Sequence, residues 1–233
     1  AVEERLKSER MKVELVTNVS HDIKTPLTSI ISYVDLLKQA ENLPEELRDY
    51  VKVLSAKSEH LREIFQDVVE ISREASGQLP LKMERLDLGK LLRQTLADRK
   101  DTIEETSFQL RVNLPEEEVM VLADGQRMYR VFANLIENAL KYSLEGSRIF
   151  LTLKKEDGRV EVRIQNTSKE ELKEGKDFTE RFVRGDESRT DGGSGLGLSI
   201  AKSFTEACGG DFHVETAGDS FTVIVAFPED GER

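Results

Sequence analysis

The spacing of apolar residues changes once along this chain, between residues 76 and 86, and this change divides the chain into two parts. From Glu3 to about Ser76 the apolar residues follow a helical period that is interrupted at Pro44, which predicts two long helices joined by a short turn. Beyond that point, short alternating stretches lie between helical ones, as is typical of strands and helices that pack together. We therefore expect a helical hairpin over residues 1–78 and a mixed α/β domain over residues 79–233.

Both predicted helices of the hairpin carry a stripe of apolar residues. The first stripe contains Val16, Val19, Ile23, Leu27, Ile30, Val34 and Leu37, and the second contains Leu47, Val51, Leu54, Leu61, Phe65 and Val68. In the second helix the stripe steps alternately by four and three residues, with one polar member at Ser58, as in a coiled coil. Two helices have too little interior to bury such stripes, whereas two hairpins form a four-helix bundle with a core. The sequence therefore predicts a homodimer.

The second part of the chain predicts six strands and three helices. We expect strands at 108–114, 119–123, 148–154, 159–166, 211–216 and 221–227, and helices at 88–100, 124–142 and 195–208. The strands that begin at residues 148 and 159 are joined by Glu156-Asp157-Gly158, which indicates a hairpin. Strand pairs that alternate with helices favour an α+β fold, in which helices cover one face of a mostly antiparallel sheet.

The charge and hydropathy of the chain limit its partners. The formal net charge of −11 argues against a nucleic-acid partner, because affinity for phosphate backbones comes mainly from clustered Lys and Arg residues. No run approaches the roughly 18 consecutive apolar residues of a membrane span, so we expect no membrane contact from this fragment. The chain begins as a charged helix already under way, so we expect it to be part of a longer protein.

A histidine, a carboxylate and a hydroxyl come close together in the first predicted helix. His21 and Thr25 are four residues apart and are therefore neighbours on a helix surface, while Asp22 is able to reach the imidazole. A histidine beside a carboxylate is suited to act as a nucleophile, although a solvated helix face with one chance histidine is the simpler interpretation. We expect His21 to face solvent, because it lies off the apolar stripe, and Pro26 to bend the helix just after it.

Polar residues also cluster on the predicted helix at 124–142 and in a glycine-rich loop that follows later in the chain. Asn134, Asn138, Lys141 and Tyr142 lie on one helical stripe. An asparagine oxygen is a suitable ligand for Mg²⁺ and a lysine for phosphate oxygens, although a plain polar surface is also compatible with the stripe. Residues 191–197 contain four glycines and run into a helix, which is an arrangement for binding phosphates or simply a hinge.

These motifs, in this order, resemble the H, N, F and G2 boxes of the sensor histidine kinases of two-component systems. The resemblance rests on His21-Asp22-x-x-Thr25-Pro26-Leu27, the helix around Asn138, Phe178-Thr179-Glu180-Arg181-Phe182 and Gly193-x-Gly195-Leu196-Gly197-Leu198. It covers nearly the whole chain. It implies a dimerisation and histidine-phosphotransfer hairpin followed by a Bergerat-type ATP-binding domain, an α/β sandwich.

The resemblance also implies roles for individual residues. ATP with Mg²⁺ would phosphorylate His21, the phosphoryl group would pass to an aspartate of a response regulator, and Thr25 would take part in dephosphorylating that regulator. Asp22 would orient the imidazole and Asn138 would hold Mg²⁺. The nucleotide would be bound by Asn134, Asn138, Lys141, Tyr142, Asn166, Arg184, Gly193, Gly195, Leu196 and Gly197, with residues 178–197 as a lid. The family further implies a cytoplasmic location, as the cytoplasmic part of a membrane-anchored sensor.

One segment departs from the family, and two alternatives stay open. Where such kinases usually carry Asp-x-Gly-x-Gly, this chain reads Asn166-Thr167-Ser168-Lys169-Glu170. The resemblance implies that Asn166 takes the place of the family aspartate that contacts the adenine amino group. An asparagine oxygen can still accept that hydrogen bond but is neutral, which predicts weaker ATP binding rather than none. The first alternative is a nucleotide-sensing scaffold or phosphatase-only module of the same fold. The second is a chaperone- or topoisomerase-like ATPase, which would want a glutamate at the position of Asn134.

Overall fold

The computed structural model describes residues 23–40, 43–75, 80–156, 158–169, 171–172, 178–179 and 196–230. The chain divides into two compact units, Ala1–Pro80 and Leu81–Arg233. The first is a helical hairpin and the second an α/β domain with a mostly antiparallel sheet, so the predicted fold class is confirmed.

The first unit contains two helices, α1 over residues 23–39 and α2 over Glu45–Ala75. Helix α2 begins after Pro44, whose carbonyl oxygen accepts hydrogen bonds from the backbone N–H groups of Leu47 at 2.9 Å and Arg48 at 3.1 Å. Glu45 and Glu46 lie in the first turn, where the helix dipole favours negative charge. The interruption predicted at Pro44 is therefore the start of the second helix.

The hairpin leaves most of its apolar stripe in contact with solvent. Of the described stripe residues, Leu27, Val34, Val51 and Ser58 are buried. The exposed members lie on both helices, with exposed fractions from 41% at Ile23 to 51% at Leu54: Ile23, Ile30, Leu37, Leu47, Leu54 and Leu61. A single hairpin therefore covers only one edge of the stripe, and the rest forms an exposed apolar surface.

Among its described residues, the second unit contains seven strands and four helices. They are β1 Glu84–Asp87, α3 Leu88–Ala97, α4 Lys100–Glu104, β2 Gln109–Asn113, β3 Met120–Ala123, α5 Gly125–Tyr142, β4 Arg148–Glu156, β5 Arg159–Thr167, α6 Gly197–Ala207, β6 Asp211–Ala217 and β7 Ser220–Pro228. The main sheet has the order β2-β4-β5-β7-β6, in which β2 pairs with β4 in parallel and the other neighbours are antiparallel. Strands β1 and β3 form a separate antiparallel pair.

Strand β1 was not predicted, because its sequence Glu-Arg-Leu-Asp has no alternating apolar pattern. The strand forms through backbone pairing with β3, and the Leu88 N–H extends the pairing by donating to the Val119 carbonyl at 3.0 Å. Asp87 then caps α3, since its carboxylate accepts the N–H of Gly89 at 2.9 Å. Tertiary contacts, rather than side-chain pattern, therefore specify this segment.

The predicted helix at 88–100 is also wrong in one respect, because the structure divides it into α3 and α4. The N–H of Asp98 still donates to the Gln94 carbonyl at 3.0 Å, but the N–H of Arg99 donates to Leu96, which tightens the turn. Arg99 itself has φ −114° and ψ 12°, outside the helical range. The chain therefore changes direction at Arg99 and starts a second short helix.

One face of the main sheet packs against the helices and forms the core of the second unit. Along β5, every second side chain from Val160 to Asn166 is buried, as expected for a strand with one covered face. Helices α5 and α6 contribute Phe132 and Phe204, which are almost fully buried. Asn166 is the polar member of the β5 row, and it lies at the end of that row.

Candidate functional site

Helix α5 carries the polar stripe, and its start is anchored by Asp124. The Oδ1 atom of Asp124 accepts the N–H groups of Gln126 and Arg127, each at 3.1 Å, and its Oδ2 atom accepts the Lys82 N–H at 2.9 Å and Arg127 Nη1 at 2.8 Å. Burial opposes ionisation and is the largest single effect, but these hydrogen bonds and the Arg127 charge together lower the pKa of Asp124. The cap fixes where α5 begins and therefore which face it turns to the sheet.

Helix α5 is amphipathic, and its polar stripe lies at the border of its buried face. The buried residues are Met128, Val131, Phe132, Ala133, Leu135, Ile136 and Ala139. Asn134, Asn138 and Lys141 are half-buried, and Tyr142 is 37% exposed at the end of the helix. The stripe is therefore partly shielded from water, where hydrogen bonds to a ligand are stronger than on an open surface.

Helix α6 begins directly against this stripe. A Cβ atom on Gly197 would lie 3.3 Å from Nδ2 and 3.7 Å from Oδ1 of Asn138, so the amide lies close to the glycine, on the side where a side chain would extend. Leu196, which precedes the helix, is 1% exposed, and its carbonyl accepts the Ile200 N–H at 2.9 Å and the Ser199 hydroxyl at 2.8 Å. The structure thus brings the end of the glycine-rich loop to Asn138, as a phosphate site at a helix N-terminus requires.

Three side-chain amides at this site are left with hydrogen-bonding capacity. They belong to Asn134, Asn138 and Asn166, and none of them hydrogen-bonds to a residue that the structure describes. Asn166 is only 5% exposed. Asn134 and Asn138 are half-buried, and the Asn166 amide is not among the fully enclosed atoms that lack a partner, so all three amides remain available to a polar ligand.

Two aromatic residues adjoin the end of β5. Phe221 lies opposite Asn166 in the β5–β7 pairing, and the Phe178 ring packs edge-on against it, with ring centroids 5.4 Å apart and planes at 86°. Thr179 is in contact with α6, since Lys202 Nζ donates to its Oγ1 at 3.2 Å. The first residues of the predicted lid are therefore attached to β7 and α6, contacts that no spacing in the sequence indicates.

The end of α5 is joined to the end of β5. The Leu144 N–H donates to the Thr167 carbonyl at 2.8 Å, and the Lys169 N–H donates to the Tyr142 carbonyl at 3.0 Å. The ammonium groups of Lys141 and Lys169 lie 5.6 and 5.9 Å from the centroid of the Tyr142 ring. Lys169 is a residue that the sequence reasoning missed, because it lies in a charged run that resembles exposed loop.

The other predicted site residues divide between α1 and the undescribed segments. Thr25 is exposed on α1, where its carbonyl accepts the Ser29 hydroxyl at 3.2 Å. Pro26 lies within the same helix. The remaining candidates lie outside the described residues: His21, Asp22, Arg184, Gly193 and Gly195. The bend that Pro26 is expected to cause just after His21 involves residues that precede the described part of α1, so it stays a prediction.

The residues present are compatible with Mg²⁺ held by few protein atoms. Within the described ranges, no three His, Cys, Asp or Glu side chains come together in a way that would hold a metal ion. Mg²⁺ is usually bound through one or two protein oxygens together with substrate phosphates and water. The half-buried amide oxygen of Asn138, beside the start of α6, fits that arrangement. Separately, no helix among the described residues is long and apolar enough to cross a membrane.

The fold and the site together define a class of protein, in which a helical hairpin precedes an ATPase domain. Residues 123–231 match the family model of histidine kinase-, DNA gyrase B- and HSP90-like ATPases. Residues 11–77 match the His Kinase A (phospho-acceptor) domain, which argues against the chaperone- or topoisomerase-like alternative. The chain belongs to the sensor histidine kinases of two-component systems.

Individual relatives agree with this assignment. The chain is 34% identical to the sensor protein VanSC of Enterococcus gallinarum over 227 residues, which is 95% of this chain and 62% of VanSC. Its structure resembles full-length ShkA, crystallised with AMPPNP, with a TM-score of 0.78 and 26% identity over 94% of this chain and 47% of ShkA. The fold also resembles histidine kinase ThkA, crystallised with the response regulator TrrA, with a TM-score of 0.68 and 24% identity over 97% of this chain and 65% of ThkA. The chain therefore spans less than two thirds of each of these relatives.

Proposed function

We propose that this chain is an ATP-dependent protein histidine kinase that phosphorylates its own His21. The observation that carries the proposal is the close approach of the Asn138 amide to Gly197, which brings a polar helix face to a helix N-terminus in an ATPase domain. The match to a phospho-acceptor domain over residues 11–77, which include His21, supports the identity of the acceptor.

The proposed chemistry is one substitution at phosphorus. The backbone N–H groups at the start of α6 and the Lys141 ammonium would bind the phosphates of ATP, and Asn138 would hold Mg²⁺, which when bound would neutralise phosphate charge. An unprotonated imidazole nitrogen of His21 attacks the γ-phosphorus, the bond to the bridging oxygen breaks, and ADP leaves. Asp22 accepts the other ring N–H and stabilises the positive charge that develops on the imidazole. An arginine such as Arg181 or Arg184 adds further charge neutralisation.

The phosphoryl group then passes from His21 to an aspartate carboxylate of a response regulator. The family assignment supports such a partner, and the complex of ThkA with TrrA is an example in a protein of similar fold. Thr25 is exposed on α1 and follows His21 by four residues in the sequence, and in this proposal it orients the water that hydrolyses the regulator's aspartyl phosphate. This function requires a cytoplasmic location, which we propose for the chain as the kinase part of a membrane-anchored sensor.

The active form that we propose is a homodimer assembled through the hairpin. Ile30 and Leu54 are 49% and 51% exposed in a single chain, although each belongs to an apolar stripe. A second hairpin would cover these residues in a four-helix bundle, which is the usual way to bury two such stripes. The same exposure would otherwise be an aggregation hazard.

The test is incubation of the purified chain with Mg²⁺ and γ-labelled ATP. We expect label that is stable to alkali and lost in acid, absent from His21→Gln and present in the control His213→Gln, since His213 is exposed on β6. Chelation of Mg²⁺ and Asn138→Ala should each reduce the label. Label that persists in His21→Gln would contradict the assignment of the acceptor.

A second measurement separates the kinase from the scaffold or phosphatase-only alternative. Binding of ATP without any label would favour that alternative, which the replacement at Asn166 supports. With a phosphorylated regulator, Thr25→Ala should slow dephosphorylation while leaving labelling of His21 intact. Equal loss of both reactions would contradict a specific role for Thr25 in hydrolysis.

A further inference from the structure

Asn166 is a polar residue in a row of β5 side chains that are otherwise aliphatic. The buried residues before it in the same row of β5, Val160, Val162 and Ile164, are all aliphatic. Across the sheet Asn166 lies opposite Ile149 on β4 and Phe221 on β7. The residue as a whole is 95% buried, but its amide atoms are not among the fully enclosed side-chain atoms that lack a hydrogen-bond partner, so the amide reaches the surface at the end of β5, where a ligand can complete its hydrogen bonds.

No described residue supplies those hydrogen bonds, and this leaves the orientation of the amide open. A side-chain amide has an acceptor, Oδ1, and a donor group, Nδ2, on opposite sides of its axis. A fixed protein partner that can only donate or only accept would select one of the two orientations. At Asn166 no such selection takes place within the described structure. The ligand therefore decides which atom faces it.

The family resemblance, which puts Asn166 in the place of an aspartate that contacts the adenine amino group, and the position of Asn166 in the fold indicate the same part of a nucleotide. Phosphates are suited to the N–H groups at the start of α6, beside Asn138. Asn166 lies instead at the end of β5, which is joined to the last turn of α5, and its neighbour Phe221 packs against Phe178. A neutral donor and acceptor beside aromatic rings suits the edge of a purine base rather than a phosphate.

We propose that Asn166 accepts both 6-amino and 6-oxo purine nucleoside triphosphates, by presenting Oδ1 to the first and Nδ2 to the second. The inference rests on the proposed function, because it names the range of nucleotides for that site. The adenine 6-amino group is a donor and the 6-oxo group is an acceptor, so a half-turn of the amide satisfies either. A carboxylate at this position has no donor, so it would face a 6-oxo group with an unpaired charge and reject it.

The experiment compares ATP with inosine triphosphate, which carries a 6-oxo group and lacks the 2-amino group of guanine nucleotides. Dissociation constants are measured by calorimetry with Mg²⁺ for the unchanged chain, Asn166→Asp and Gln165→Glu. Gln165→Glu is the matched control. It makes the same change of amide to carboxylate at the residue directly before Asn166, whose side chain faces the other side of the sheet. We expect the unchanged chain and the control to bind the two nucleotides within about tenfold of each other. Asn166→Asp should raise the preference for ATP by more than about tenfold.

Labelling of His21 by γ-labelled inosine triphosphate is a second readout that needs no variant, so it remains decisive if Asn166→Asp fails to fold. We expect label from both nucleotides in the unchanged chain. Binding of ATP with rejection of inosine triphosphate, or an unchanged preference in folded Asn166→Asp, would overturn this inference and leave the proposed function intact. Failure to bind either nucleotide would overturn both.

Discussion

The two units of this chain bury their apolar side chains to very different extents. In the α/β unit, Leu88, Val121 and Phe132 have no exposed surface, whereas Tyr33 and Tyr50 of the hairpin are 68% and 67% exposed. Burial of apolar surface is the main driving force for folding, so the α/β unit has a core of its own. The hairpin has a narrow interior, and much of its apolar surface has no cover within one chain. The core of the α/β unit is thus complete within one chain, whereas the hairpin leaves apolar surface that the proposed homodimer would cover.

The largest effect should come from a cavity in the core of the α/β unit. Phe132→Ala removes a fully buried ring from α5, and we expect it to cost about 4 kcal/mol of unfolding free energy. The matched control Leu122→Ala, at a residue that is 51% exposed in the same unit, should cost less than about 1 kcal/mol. Urea unfolding of both variants checks the difference. Equal losses of unfolding free energy in the two variants would contradict the burial of Phe132 in the core.

A charge on the exposed stripe should have the next largest effect, and it acts on assembly. Leu54→Glu places a carboxylate where we expect two hairpins to meet, and should weaken the dimer by at least about a hundredfold, or about 3 kcal/mol. Ala56→Glu introduces the same charge on an exposed position outside the stripe of α2 and should leave the dimer intact. Sedimentation over a range of concentrations measures both. If the unchanged chain is a monomer, or if both variants dissociate the dimer, the proposal that a second hairpin covers the exposed stripe is contradicted.

The smallest effect concerns the cap of α5 and depends on pH. The pKa of Asp124 is lowered in the folded chain, so its stabilising effect is complete above the unfolded-state value of about 4 and is lost as the pH falls through the folded-state value. Asp124→Asn keeps a capping oxygen but loses the ion pair with Arg127, and we expect a cost of about 1–2 kcal/mol at pH 7.

The pH dependence provides the check on this last prediction. The free energy of unfolding is measured with urea at pH 7 and at pH 3. The difference in this free energy between Asp124→Asn and the unchanged chain should be smaller at pH 3. A difference that is the same at both pH values would mean that Asp124 stabilises the fold through packing and hydrogen bonds that do not depend on its charge. Since Asp124 belongs to the α/β unit, the transition assigned to the hairpin should not respond to this substitution.

The elements that sequence predicted well are those whose side-chain pattern and burial agree. Strands β4 and β5 alternate regularly, and α5 begins at a capping aspartate, so their predicted bounds fall within two residues of the structure. Strand β1 was missed because backbone pairing with β3, and not its own side chains, makes it a strand. The break at Arg99 was missed because neither proline nor glycine marks it.

The candidate site was predictable where helical spacing or chain order determines proximity. The stripe from Asn134 to Tyr142 follows from the period of α5 alone. Its contact with Gly197 was expected only through the family resemblance, since nothing local relates two helices so far apart in the chain. The contacts of Lys169 with Tyr142 and of Phe178 with Phe221 depend on how β5 and β7 end, which no sequence period encodes.

The close approach of Gly197 to Asn138 has a consequence for how this protein can diverge. No left-handed backbone requires a glycine at position 197, but a Cβ there would lie 3.3 Å from the Asn138 amide, so a larger residue would require that side chain to shift by a few tenths of an ångström. The two positions should therefore change together across related sequences. An alanine at 197 should be tolerated where residue 138 is shorter, and a lineage that keeps the asparagine should keep the glycine as well.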